Sequence, residues 1–111
     1  MTALHADTHQ SPPPLFHPAR EDIALTAVLH ALSDPIRLTI VRRLNGATEE
    51  LACGSFALPV AKSTATHHWR VLRECGVVTA REEGTHKYHR LRRDDLEARF
   101  PGLLDTILAN S

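Results

Sequence analysis

Long apolar runs are missing from this 111-residue chain, and no stretch approaches the roughly 18 residues that a helical membrane span needs. Cysteine is scarce: Cys53 and Cys75 are the two present, too few for a disulfide framework, so a reduced, cytoplasmic setting is the expectation. The aromatics are Phe16, Phe56, Trp69, Tyr88 and Phe100, too few for a broad aromatic platform. The N-terminus "MTALHADTHQSPPP" has no basic region followed by an apolar stretch and does not read as a secretory signal. Net charge is missing as well, with 13 Lys and Arg against 13 Asp and Glu. The length fits one domain with a modest core.

Charge is nevertheless unevenly placed. Residues 1–61 carry −2 and residues 94–111 carry −3. Residues 62–93 carry +5, from Lys62, Arg70, Arg73, Arg81, Lys87, Arg90, Arg92 and Arg93 against Glu74, Glu82 and Glu83. A phosphate backbone senses charge within a Debye length of ~8–10 Å, so the local balance counts for more than the total.

The punctuation divides the chain into a tail and a folded unit. Residues 1–18, ending in "SPPPLFHPAR" up to Pro18, hold four prolines and no periodicity, and are expected to be a flexible tail. Residues 19–111 are expected to form the domain. A first helix is predicted from Glu21, with Leu25, Val28, Leu29 and Leu32 at helical spacing. A second runs through "DPIRLTIVRRLNG", with Asp34 as N-cap, Pro35 in the first helical position and Asn45-Gly46 at the end. Ile36, Ile40, Val41 and Leu44 make its inner face, and Arg37, Arg42 and Arg43 are expected to be more exposed. A third, short helix is expected in "EELACGSFAL", stopping before Pro59. A fourth spans Ser63 to Glu74, with Gly76 as its stop. Val77 to Glu82 and Lys87 to Leu91 read as two strands joined at Glu83-Gly84. Leu96, Phe100, Leu103, Leu104, Ile107 and Leu108 form a last apolar seam that Pro101 interrupts. The fold class is therefore mainly α with a two-stranded β wing, a winged helix-turn-helix.

The most informative stretch is "KSTATHHWRVLRECG", Lys62 to Gly76. At ~100° per residue, with Ser63 at ~0°, Thr66, His67, Arg70, Arg73 and Glu74 lie within ~80° of it. Ala65, Trp69 and Leu72 fall on the opposite side. His67 is directed outward, whereas His68 sits at the edge of the buried face, as a boundary histidine with a packed ring and a bonded nitrogen. Adjacent histidines so divided do not converge on one metal, which on a helix needs i,i+3 or i,i+4 ligands. No nucleophile elbow, phosphate loop or orienting carboxylate points to an enzyme. Hydroxyls and a cation on an exposed helical arc suit base edges and phosphates in a major groove. Ser63 is also a candidate N-cap.

"ALSDPIRLTIVRRL", "KSTATHHWRVLRECGVV" and "EGTHKYHRL" together resemble the ArsR/SmtB family of bacterial winged-helix regulators, over about Glu21 to Leu108. The resemblance implies a homodimer that binds double-stranded operator DNA and, in most members, represses genes until an effector releases it. It places Ser63, Thr64, Thr66 and His67 on the recognition helix, alongside Lys62, Arg70 and Arg73, and Arg81, Thr85, His86 and Lys87 on the wing. It assigns Leu25, Leu29, Leu96, Phe100, Leu103, Leu104, Ile107 and Leu108 to the dimer interface.

The effector is where this chain departs from the family. The Cys-x-Cys pair found around the third helix of many members is reduced here to Cys53. The last helix offers Asp94, Asp95, Glu97 and Asp105, but no histidine follows His89. His5, His9, His17, His30 and Cys53 remain as candidate ligands for a transition-metal effector such as Ni(II) or Zn(II). His86 and His89 are three apart on a strand and point to opposite faces. Cys75 reads as a buried, inert thiol. The alternative is a winged-helix protein-interaction module, or a DNA-binding subunit whose effector is sensed by a separate partner protein.

Overall fold

A computed structural model describes residues 15–47, 50–52 and 58–111. Five α-helices and three strands are found there: α1 (Leu25–Ala31), α2 (Pro35–Asn45), β1 (Leu51–Ala52), α3 (Lys62–Glu74), β2 (Val78–Glu83), β3 (His86–Leu91), α4 (Arg93–Arg99) and α5 (Leu103–Ala109). A 3-10 turn at Arg20–Asp22 precedes them.

The first helix is shorter than its periodicity predicts. Ile23 leaves helical geometry (φ −71°, ψ 117°) and drops its side chain into the core. There it packs against Gly76, where a Cβ would meet Ile23 Cγ1 at 2.8 Å. Gly76 also holds φ +89°, so two requirements converge on glycine just past the end of α3.

The second helix begins as its residues dictate. The Asp34 carboxylate accepts from the Ile36 and Arg37 backbone N–H groups, and Pro35 occupies the first helical position. Ile40, Val41 and Leu44 enter the core. Arg37 corrects the expectation of an exposed residue: it is only 7% exposed. Its Nε donates to Ala31 O (2.7 Å) and its Nη2 to His30 O (3.2 Å), so one side chain satisfies carbonyls at the C-terminal end of α1.

The expected two-stranded hairpin is present as β2 and β3, and β1 joins it to make a three-stranded antiparallel sheet in the order β1-β3-β2. Leu51 pairs with His89 and Ala52 with Tyr88, so the start of the expected third helix is extended instead. Residues 53–57 of that expected helix, Cys53 among them, lie outside the described residues. The hairpin runs from the Val78–Leu91 pair to the Glu83–His86 pair. Val78 and Ala80 of β2, with His89 and Leu91 of β3, turn inward on alternate positions.

Pro101 and Gly102 separate α4 from α5, and Gly102 adopts φ +80°. Leu96 and Leu104 are buried in the same core as Val28, Leu32, Trp69, Leu72 and Val77. Helices around a small antiparallel sheet whose last two strands form a hairpin are compatible with a winged helix. The last residues of the expected tail are docked: Phe16 O, His17 Nε2 and Pro18 O each accept a hydrogen bond from the body. Residues 1–14 lie outside the described residues.

Candidate nucleic-acid interface

Helix α3 divides as its wheel predicts. Lys62, Ser63, Thr64, Thr66, His67 and Arg70 are exposed, whereas His68, Trp69 and Leu72 are buried. The helix starts one residue earlier than expected, with Ala61 as N-cap and no side-chain cap, so Ser63 is not the N-cap. Thr66 Oγ1 donates back to Lys62 O (3.0 Å), which leaves its lone pairs facing out. Arg70 Nη2 lies 3.3 Å from His67 Nδ1, and the pair forms one exposed polar edge.

The inward side ties α3 to the rest of the fold. His68 Nδ1 is 3.1 Å from Arg37 Nη1 and 3.9 Å from Asp34 Oδ2, both at the start of α2. Trp69 stacks on His89 of β3, with ring centroids 3.8 Å apart and planes inclined by 21°. His89 is 1% exposed, and its Nδ1 has no hydrogen-bond partner among the described residues. Burial, reinforced by the charges of Lys87 and Arg73, lowers the His89 pKa to about 4, so the ring is neutral at ordinary pH.

The wing is more self-neutralised than its sequence suggests. Arg81 pairs with Glu50 (2.8 Å) and Glu83 (2.7 Å), and its guanidinium sits 4.7 Å from the centre of the Tyr88 ring. That hydrogen-bonded arginine holds the Glu83 carboxyl below its usual pKa. Lys87 lies 3.8 Å from Glu82. Thr85 and His86 are exposed at the turn and the start of β3.

Three more of the basic residues are engaged. Arg73, placed by the wheel on the outer arc, is largely covered; its Nε donates to Phe16 O (3.0 Å). Arg92 is 8% exposed at its side chain and bonds both Asp95 and Pro18 O. Arg93 is held by Asn45 and by Asp105 at 3.1 Å. Lys62, Arg70 and Arg90 remain as the cations of this segment with no carboxylate partner among the described residues.

The candidate metal ligands do not converge. His17 Nε2 already accepts from the Ala80 N–H (2.9 Å), and burial lowers its pKa. His30 is exposed on α1. Asp95 is taken by Arg20 and Arg92, Asp105 by Arg93, and Glu97 accepts from the Gly102 N–H. No group of three His, Cys, Asp or Glu side chains among the described residues is disposed to hold an ion. His5, His9 and Cys53 lie outside those residues. Cys75 is half-buried rather than buried, and that burial raises the pKa of its thiol.

Among the residues assigned to a dimer interface, Leu25 and Leu29 are each 44% exposed on α1. Phe100, Leu103, Ile107 and Leu108 are half-buried, while Leu96 and Leu104 face the chain's own core. Sequence reasoning passed over Arg37 and the stacking role of His89. Signals for both were present: Arg37 shares the i, i+4, i+7 face of Val41 and Leu44, and His89 stands two residues before the inward Leu91.

A buried scaffold that presents one polar helix beside a hairpin is compatible with a helix-turn-helix type of protein. No family model matches the chain. Over 89 residues it is 36% identical to YceK of Bacillus subtilis (strain 168), described as an uncharacterized HTH-type transcriptional regulator; the match covers 78% of this chain and 89% of that protein. The chain belongs to the HTH-type transcriptional regulators. Among the described residues no helix is long and apolar enough to cross a membrane.

Proposed function

We propose that this protein is a sequence-specific, DNA-binding transcriptional repressor of the ArsR/SmtB type that works as a homodimer. The observation that carries the reading is the division of α3, with Ser63, Thr64, Thr66, His67 and Arg70 outward and His68, Trp69 and Leu72 inward. An α-helix with small polar donors and an arginine on its free side fits the major groove, where those groups reach base edges and phosphates. Lys62 and Arg90 add positive charge for the backbone. Thr85, His86, Arg81 and Lys87 form the wing contact. In this reading Arg73 supports the interface from within rather than touching DNA.

Dimerisation covers the exposed Leu25 and Leu29 together with the half-buried Leu103, Ile107 and Leu108. Two recognition helices then read half-sites one helical turn apart. The described residues do not fit a metal, so no metal step is assigned to the regulation.

Selection of sites from a random pool of duplex DNA tests the function. A two-fold related site is expected, with affinity falling steeply from low to moderate salt. A chain that selects no sequence, or whose binding is indifferent to salt, would instead be an interaction module.

A further inference from the structure

Three consecutive residues ahead of the first helix bond to α3, to β2 and to the residue that follows β3. Arg73, in the last turn of the recognition helix α3, donates from Nε to Phe16 O at 3.0 Å. Ala80, in wing strand β2, donates its backbone N–H to His17 Nε2 at 2.9 Å. Arg92, directly after wing strand β3, donates from Nη1 to Pro18 O at 2.7 Å.

The three contacts differ in kind. Two use backbone carbonyls, which any residue supplies, so they fix the path of the segment without specifying its sequence. The middle contact needs an acceptor at the end of a side chain of defined length. Ala80 is buried, and its register partner is His89, the residue that stacks on Trp69 of α3. The His17 bond therefore enters the wing beside the point where the wing rests on the recognition helix. An Nε2 that accepts belongs to a neutral ring, and burial of His17 favours that form.

We propose that Phe16-His17-Pro18 is a strap that sets the wing against the recognition helix, with His17 as its positioning residue for DNA binding. This rests on the reading that α3 and the wing together contact DNA. The strap is bonded to Arg73 and Arg92, which accounts for two arginines of the basic segment being turned away from solvent. Its geometry also separates two properties. The buried core of Trp69, Leu72, Val77 and Val78 includes no strap residue, whereas the strap's bonds to Arg73 and Ala80 join α3 to β2.

The test uses the full chain carrying His17→Gln or His17→Asn. A glutamine amide oxygen reaches about as far as Nε2 and accepts from the Ala80 N–H; an asparagine oxygen stops short. Both side chains are neutral and of similar polarity. Hydrogen exchange at the Ala80 amide, thermal unfolding, and affinity for a site selected by the wild type are measured together. Expected are wild-type-like exchange and affinity for His17→Gln, with faster Ala80 exchange and about five- to tenfold weaker specific binding for His17→Asn, as loss of one hydrogen bond implies. Equal Ala80 exchange in both variants would overturn the strap itself. Faster exchange with unchanged DNA affinity, or loss of affinity only in proportion to lower thermal stability, would reduce His17 to a structural contact and overturn the positioning role. A wild-type chain that selects no DNA would remove the DNA reading and the positioning role with it, while the Ala80 exchange would still report whether the strap exists.

Discussion

Arg37 Nη1 lies 3.1 Å from His68 Nδ1, joining the start of α2 to the buried side of α3. A guanidinium only donates, so His68 accepts at Nδ1 and carries its proton on Nε2. The same arginine donates to Ala31 O and His30 O, so α1, α2 and α3 meet at one side chain.

Arg37→Met is therefore expected to leave the α1 carbonyls and His68 Nδ1 without their donor, and to destabilise the fold by about 2–3 kcal/mol. Arg37→Lys should recover only part of this, because one ammonium cannot span three acceptors. Urea unfolding midpoints of the two variants, compared with the wild type, check both statements.

Neighbouring positions on α3 should behave in opposite ways. Trp69→Ala is expected to cost ~3–5 kcal/mol in stability, since the ring is buried and stacked on His89. His67→Ala should leave unfolding unchanged and weaken specific DNA binding by ~1–3 kcal/mol. Unfolding curves and DNA titrations on the same samples separate the two. The reverse pattern would mean that the helix is rotated from the orientation described.

His89 sets an acid limit on stability. Its folded pKa of about 4 lies below the ordinary histidine value of 6.5, so the unfolded chain binds the proton more readily. Stability is then complete above about pH 6.5 and declines as pH falls toward 4, by up to roughly 3 kcal/mol. His17, also lowered, acts in the same direction within that window. The depressed carboxyls Asp34, Asp95 and Glu83 lose their contribution only at lower pH, as they protonate. His89→Phe keeps an aromatic ring against Trp69 and should flatten most of the decline between pH 6.5 and 4. Chemical unfolding at half-unit pH steps measures it.

Salt dependence should follow the unpaired cations rather than the sequence total. Lys62→Ala and Arg70→Ala are each expected to reduce the log–log salt slope of DNA binding by about one. Arg92→Ala should leave that slope nearly unchanged and instead lower stability, because its charge is already held by Asp95. Titrations at four salt concentrations distinguish the two classes.

The parts legible in the sequence were those that local rules govern. Asp34-Pro35 marked the start of α2, Gly76 the end of α3, and the wheel of α3 separated His67 from His68. The parts that were not legible depend on distant partners. β1 is two residues long and exists only through its pairing with His89 and Tyr88, so no periodicity could announce it. In the sequence Arg37 looks like a surface cation because the carbonyls and imidazole that satisfy it come from other helices. The +5 of residues 62–93 takes no account of Glu50, Asp95, Asp105 and the Phe16 and Pro18 carbonyls that engage its arginines. Phe16 to Pro18 read as tail because two of their three bonds to the body use backbone carbonyls, which leave little trace in residue type.

The stack of Trp69 on His89 has an optical consequence. Trp69 is the sole indole in the chain, and it stands where the helix meets the wing. Its emission is a built-in gauge of that junction, free of background from any other tryptophan. A change in brightness or colour on adding DNA would report how α3 and the hairpin shift against each other, with no label attached.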